Sequence, residues 1–103
     1  MIQYQAPTTD DLQRLKDSLG YTGKQMADLA SVSSDVQWRK YTGGSDPREV
    51  NMHMLFLMAA RLALAPEELR RVADKMRELG AQVDADELLR LPTSYIKGEP
   101  ERG

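Results

Sequence analysis

A chain of 103 residues holds one domain, or one domain with tails, and can bury one modest core. With 41% hydrophobic and 29% charged residues it suits a globular fold rather than a disordered one, and without cysteine it has neither disulfides nor thiolate metal sites. The net charge of −2 lacks the basic excess that nucleic-acid binders often carry, and a lone histidine, His53, excludes a histidine-based metal site.

Residues 1–9 contain neither a basic segment nor an apolar run, so they do not read as a signal peptide. The most apolar uncharged run, 54–60, is too short to span a bilayer. The expectation is a soluble, cytoplasmic protein that does not enter membranes.

Thr9 is placed to cap a first helix, with Asp10 and Asp11 in the first turn where the helix dipole favours acids. Leu12, Leu15 and Leu19 recur at helical spacing and Gly20 ends the element. Thr22 begins a second helix that stops near Ser31, with Met26, Leu29 and Ala30 as its inner stripe. A third, short helix is expected over 34–41, broken by Gly43, Gly44 and Ser45.

Asp46 and Pro47 look like the start of a fourth helix, an N-cap acid followed by proline at the first helical position, and this helix is expected over 47–65. Met52, Leu55, Phe56, Ala59 and Leu62 form one apolar stripe along it, and Met54, Leu57 and Met58 a second beside the first. Pro66 opens a fifth helix, with Leu69, Val72, Met76 and Leu79 facing inward and Gly80 as its stop. A sixth helix is expected over 84–91, ended by Pro92. No segment alternates with a period of two, so no sheet is expected, and no internal repeat is present.

Two short helices joined tightly are the pattern of a helix-turn-helix, whose second member enters the major groove. Residues 22–65 carry a resemblance of this kind: Thr22, Gly23, Lys24, Gln25, Met26, Ala27, Asp28, Leu29, Ala30, Ser31, Val32 and Ser33, and onward to Ala60, Arg61, Leu62, Ala63, Leu64 and Ala65. They resemble the lambda-repressor/Cro-like (XRE-type) DNA-binding family, as found in phages and plasmids. The resemblance implies an all-α, five- to six-helix lambda-repressor-like bundle containing a helix-turn-helix over residues 1–92. Residues 93–103 are polar and read as a flexible tail.

In that family Ala27 would occupy the position that needs a small side chain, because two helices cross closely there. Ser31 would hold a turn position that is usually glycine, Val32 would be the apolar plug between the helices, and Ser33 would cap the third helix. Two registers fit the third helix. In one, with an extra residue in the turn, Trp38 and Tyr41 point into the core. In the other Val36 is buried and Trp38 exposed. The first is favoured, because burying a tryptophan stabilises more than burying a valine.

The resemblance then implies a sequence-specific, double-stranded DNA-binding transcriptional regulator, a repressor rather than an activator, with helix 34–41 in the major groove. Ser34, Asp35, Gln37, Arg39 and Lys40 would face the groove. Arg39 can bond guanine O6 and N7 bidentately, and Gln37 can do the same with adenine N6 and N7. Thr22, Lys24 and Gln25 at the start of the second helix would hold a phosphate, Lys40 and Arg48 are further phosphate candidates, and Ser33 is a further DNA-binding candidate. Segment 22–48 carries four bases against three acids, a local charge of +1 that leaves −3 on the remainder.

Met54, Leu57 and Met58 are candidates for a homodimer contact on helix 47–65, since methionine suits adaptable interfaces. The alternative function on the same scaffold is a protein-binding adaptor or inhibitor. An enzyme is not expected: there is no phosphate-cradling glycine loop after a strand, no metal-ligand cluster, and only one histidine for any triad. No cofactor or small-molecule ligand is implied, and His53 reads as a polar residue at a helix edge.

Overall fold

The computed structural model describes residues 1–92, so the segment 93–103 expected to form a tail lies outside the described residues. Six helices follow in order: α1 Thr9–Leu19, α2 Gly23–Ala30, α3 Asp35–Arg39, α4 Met52–Ala63, α5 Pro66–Glu78 and α6 Ala85–Leu89. No strand occurs among the described residues, and the fold is all-α.

Local chemistry sets most helix ends. Thr8, rather than Thr9, caps α1: its hydroxyl accepts from the Asp11 N–H at 3.0 Å, and the Asp11 carboxylate accepts from the Thr8 N–H at 2.9 Å. Thr22 and Gln25 repeat the reciprocal pair at α2, at 3.2 and 2.8 Å. α1, α2 and α5 end alike, with a left-handed residue at Gly20 (φ 69°), Ser31 (φ 59°) and Gly80 (φ 105°). After each, a backbone N–H reaches back to a carbonyl of the last turn, as when Val32 N–H donates to the Ala27 carbonyl at 2.9 Å. Glycine adopts this backbone freely; at Ser31 the surrounding structure imposes it.

The fourth helix starts later than Asp46 and Pro47 suggest. Asn51 is its cap, accepting from the Met54 N–H at 2.9 Å. The reason lies in the core. Val50 is buried, and its carbonyl accepts from the Tyr4 hydroxyl of the N-terminal arm. That carbonyl is what a longer helix would have offered to Met54, so the segment before Asn51 stays extended. The loop it closes is pinned at its neck, where the Arg48 N–H donates to the Lys40 carbonyl at 2.7 Å.

α2 packs against α3 and α4, while α5 packs against α6. Half of α2 is buried: Met26, Ala27, Leu29 and Ala30 join Leu12, Trp38, Val50 and Met58 in one core. On α4 the core-facing residues come from both stripes: Met58 is 1% exposed and Met54, Leu55 and Leu62 pack against the core, while Phe56 is 69% exposed and Ala59 is exposed too. On α5, Leu69 and Ala73 are buried, but Val72 and Met76 are only partly covered and Leu79 is 80% exposed. Five-residue α6 is too short to roof the whole inner face of α5.

Arg61 is the buried charge that ties these units together. At 6% exposure it directs all five guanidinium donors to main-chain carbonyls. Nη1 donates to Asp28 and Leu29 in the last turn of α2, at 2.8 and 2.9 Å. Nε donates to Leu88 at 3.0 Å, and Nη2 donates to Glu87 and Arg90 at the end of α6. No carboxylate among the described residues pairs with it. Burial raises the pKa of the nearby Tyr21 phenol, Arg61 opposes the rise and Asp28 adds to it, so the phenol stays neutral and supplies no counter-charge. The compensation is the partial negative charge at two helix C-termini.

Replacing Arg61 by methionine leaves those carbonyls without a shared donor and is expected to lower unfolding free energy by about 3 kcal/mol. Lysine, a point charge without the planar fork, should recover less than half of that loss in urea denaturation. A methionine variant as stable as the parent would contradict this role.

Candidate nucleic-acid interface

A five-residue helix is far too short to persist alone, so α3 is shaped by what holds it. Ser34 caps it, accepting from the Gln37 N–H at 3.3 Å; Ser33 is exposed and does not take the capping role expected of it. The regular helix covers 35–39 of the expected 34–41, and turns carry on from it: Tyr41 N–H donates to Trp38 at 3.0 Å and Gly43 N–H to Arg39 at 2.9 Å.

Of the two registers, the structure has the one with tryptophan inward. Trp38 is 1% exposed and Val36 is 55% exposed. The half-buried Tyr41 ring lies 6.2 Å from the Trp38 ring, tilted by 42°. Val32 is half-buried between α2 and α3, as a plug should be. With Trp38 fixed behind, Asp35, Val36, Arg39 and Lys40 point outward at spacings that share one helix face.

The outward residues form two adjoining concavities. Arg39, Lys40 and Arg48 line one, together with Val36, Asp46 and the Gly43–Ser45 main chain. The pinned loop neck is what brings Arg48 beside Lys40. Lys24, Gln25, Ser33, Ser34 and Asp35 line the other. Thr22 is exposed beside them, but its hydroxyl, like the Gln25 carboxamide oxygen, is engaged in the α2 capping pair. Gln37 is half-buried on the flank of α3 and lines neither concavity, so it does not share the face of Arg39.

The charges on this side differ in kind from those elsewhere. Ion pairs among the described residues join Arg14 to Asp11, Arg70 to Asp86, Lys75 to Glu78 and Arg77 to Asp74. Lys24, Arg39, Lys40 and Arg48 take part in none of them. Asp28 and Asp35 line the concavity of Lys24, Asp46 lines that of Arg39, and all three reduce the local positive field. No group of acids, cysteines or histidines among the described residues could hold a metal ion. No helix among them is long and apolar enough to cross a membrane.

The expected dimer residues divide. Met54 and Leu57 are half-buried on α4, whereas Met58 is sealed in the core and offers nothing to a partner. Sequence reasoning missed two features here. Val36 was weighed only as a buried residue, although its spacing from Arg39 and Lys40 places all three on one face. The exposed main chain of Gly43 to Ser45 lines the basic concavity and had been read only as a helix break.

No protein-family model, curated protein or solved structure matches the chain.

The register gives a paired prediction. Trp38→Ala should destabilise by about 3–5 kcal/mol, while Val36→Ala should stay within about 0.5 kcal/mol of the parent. Chemical denaturation of both variants checks this, and comparable losses would place α3 in the other register.

Proposed function

We propose that the chain is a sequence-specific, double-stranded DNA-binding transcriptional regulator of the lambda-repressor/Cro type, in which α2 and α3 act as a helix-turn-helix. The observation that carries this reading is the two-sidedness of α3. Trp38 is locked behind it, and Val36, Arg39 and Lys40 project in front, with the unpaired cations Lys24 and Arg48 on either side.

Each front residue has a partner chemistry in the major groove. Arg39 supplies a bidentate donor fork for guanine O6 and N7, and exposed Val36 an apolar contact for a thymine methyl group. Asp35 can accept from cytosine N4, and elsewhere repels phosphate, which adds selectivity at the expense of affinity. Lys24, Lys40 and Arg48 suit phosphates and set register rather than sequence. Gln37, on the flank, is a weaker base reader than its residue type suggests. Occupying a promoter requires no further chemistry, so repression is the simpler outcome, and the protein would act in the cytoplasm without a cofactor.

The competing reading is a protein-binding adaptor on the same scaffold, favoured by the exposed Phe56 and Leu79. Salt and mutation separate the two. With about four phosphate contacts, affinity for a duplex selected from random-sequence DNA should fall with a log–log salt slope of roughly −4 per protomer. Arg39→Ala with Lys40→Ala should weaken binding by at least about tenfold and flatten that slope by about one to two. Fluorescence anisotropy across a salt series measures both. Absence of duplex binding at low salt, or binding indifferent to the double substitution, would overturn the proposal.

A further inference from the structure

The stretch before α4 is held in a state that its own sequence does not favour. Asp46, Pro47 and Glu49 make up a helix start: a capping acid, a proline at the first helical position and an acid in the first turn. Residues 47–51 are nevertheless not helical, and α4 begins at Met52. Places where a local signal is overridden are often functional ones.

Two backbone groups decide between the states. The Val50 carbonyl accepts from the Tyr4 hydroxyl at 2.5 Å, and the Met54 N–H donates to the Asn51 side chain at 2.9 Å. In a longer helix the carbonyl and the N–H would bond to each other. Both arrangements satisfy both groups, so the hydroxyl of the N-terminal arm, 46 residues from Val50 in sequence, tips the balance.

Arg48 is what the choice moves. Its N–H donates to the Lys40 carbonyl at 2.7 Å, and its side chain lines the concavity of Arg39 and Lys40. A helix rises about 1.5 Å per residue where an extended chain rises about 3.3 Å, so winding the three steps from Asn51 back to Arg48 would draw Arg48 about 5 Å towards α4. In a helix capped by Asp46 the Arg48 N–H would turn to that carboxylate. The Lys40–Arg48 bond and one cation of the concavity would be lost together.

We infer that Tyr4 is a positioning residue for the nucleic-acid face: by holding the Val50 carbonyl out of α4, it keeps residues 47–51 unwound and Arg48 beside Lys40. The effect on binding rests on the DNA reading; the effect on residues 47–51 does not.

Two variants of the full chain test it from opposite sides. Tyr4→Phe removes the competing donor, and Asn51→Ala frees the Met54 N–H. In either variant the Cα chemical shifts of residues 47–51, non-helical in the parent, should move towards helical values. Tyr4→Phe should also weaken duplex binding by about threefold to tenfold and flatten the log–log salt slope by up to about one. On an Arg48→Ala background it should cost nothing further, because the contact it positions is already gone. Far-UV circular dichroism confirms that each variant is folded. Shifts unchanged in both variants overturn the inference, as does a loss of binding undiminished on the Arg48→Ala background. A parent that binds no duplex overturns the DNA reading and this role with it, while the shifts still show whether Tyr4 holds the segment.

Discussion

A buried positive charge held by main-chain carbonyls organises this fold. Taking a guanidinium out of water costs several kcal/mol unless every donor is satisfied in good geometry. Arg61 meets that condition by sitting where two helices end and directing its fork to carbonyls at the ends of α2 and α6, of which Asp28 also accepts from the Ser31 N–H. The arrangement is selective for arginine, whose planar five-donor head can serve two helix ends at once. It also helps to hold α6, a five-residue helix with one buried residue, Ala85, which otherwise rests on α5.

The same constraint reaches the candidate interface. The carbonyls of Asp28 and Leu29 belong to the last turn of α2, immediately before Ser31 takes up its left-handed backbone. Fixing that turn fixes the direction in which the chain leaves α2, and so where α3 begins. From there Ser34 caps α3, Trp38 anchors it, and the Lys40–Arg48 bond closes the loop behind it. A short helix held at start, back and end is presented rigidly, which is what reading base edges demands.

Legibility in the sequence followed the range of the forces involved. Thr22, Gly20, Pro66 and Gly80 act within a few residues, and the ends they set could be placed from sequence. Trp38 could be placed inward because its burial outweighs that of Val36. Asp46 and Pro47 misled because their local signal loses to a long-range one: Val50 is drawn into the core and its carbonyl to Tyr4, so Asn51 takes over as the cap. Phe56 and Leu79 misled because apolar periodicity identifies a stripe but not what covers it. Arg61 left no signal at all, since its partners are main-chain carbonyls 26 to 33 residues away in sequence. No pattern of side chains encodes such a site.

The net charge of −2 argues less against DNA than it first appears to, because charge acts locally. At physiological ionic strength fields decay over about 8 Å, so acids on α1 and α5 scarcely reach the α3 face. Three of those acids, Asp11, Asp74 and Glu78, are moreover held in ion pairs, while Lys24, Arg39, Lys40 and Arg48 take part in none among the described residues. What does oppose binding is close at hand: Asp28, Asp35 and Asp46 lie in the concavities themselves. A single copy would therefore hold a duplex weakly, with few phosphate contacts and an acid in the reading face.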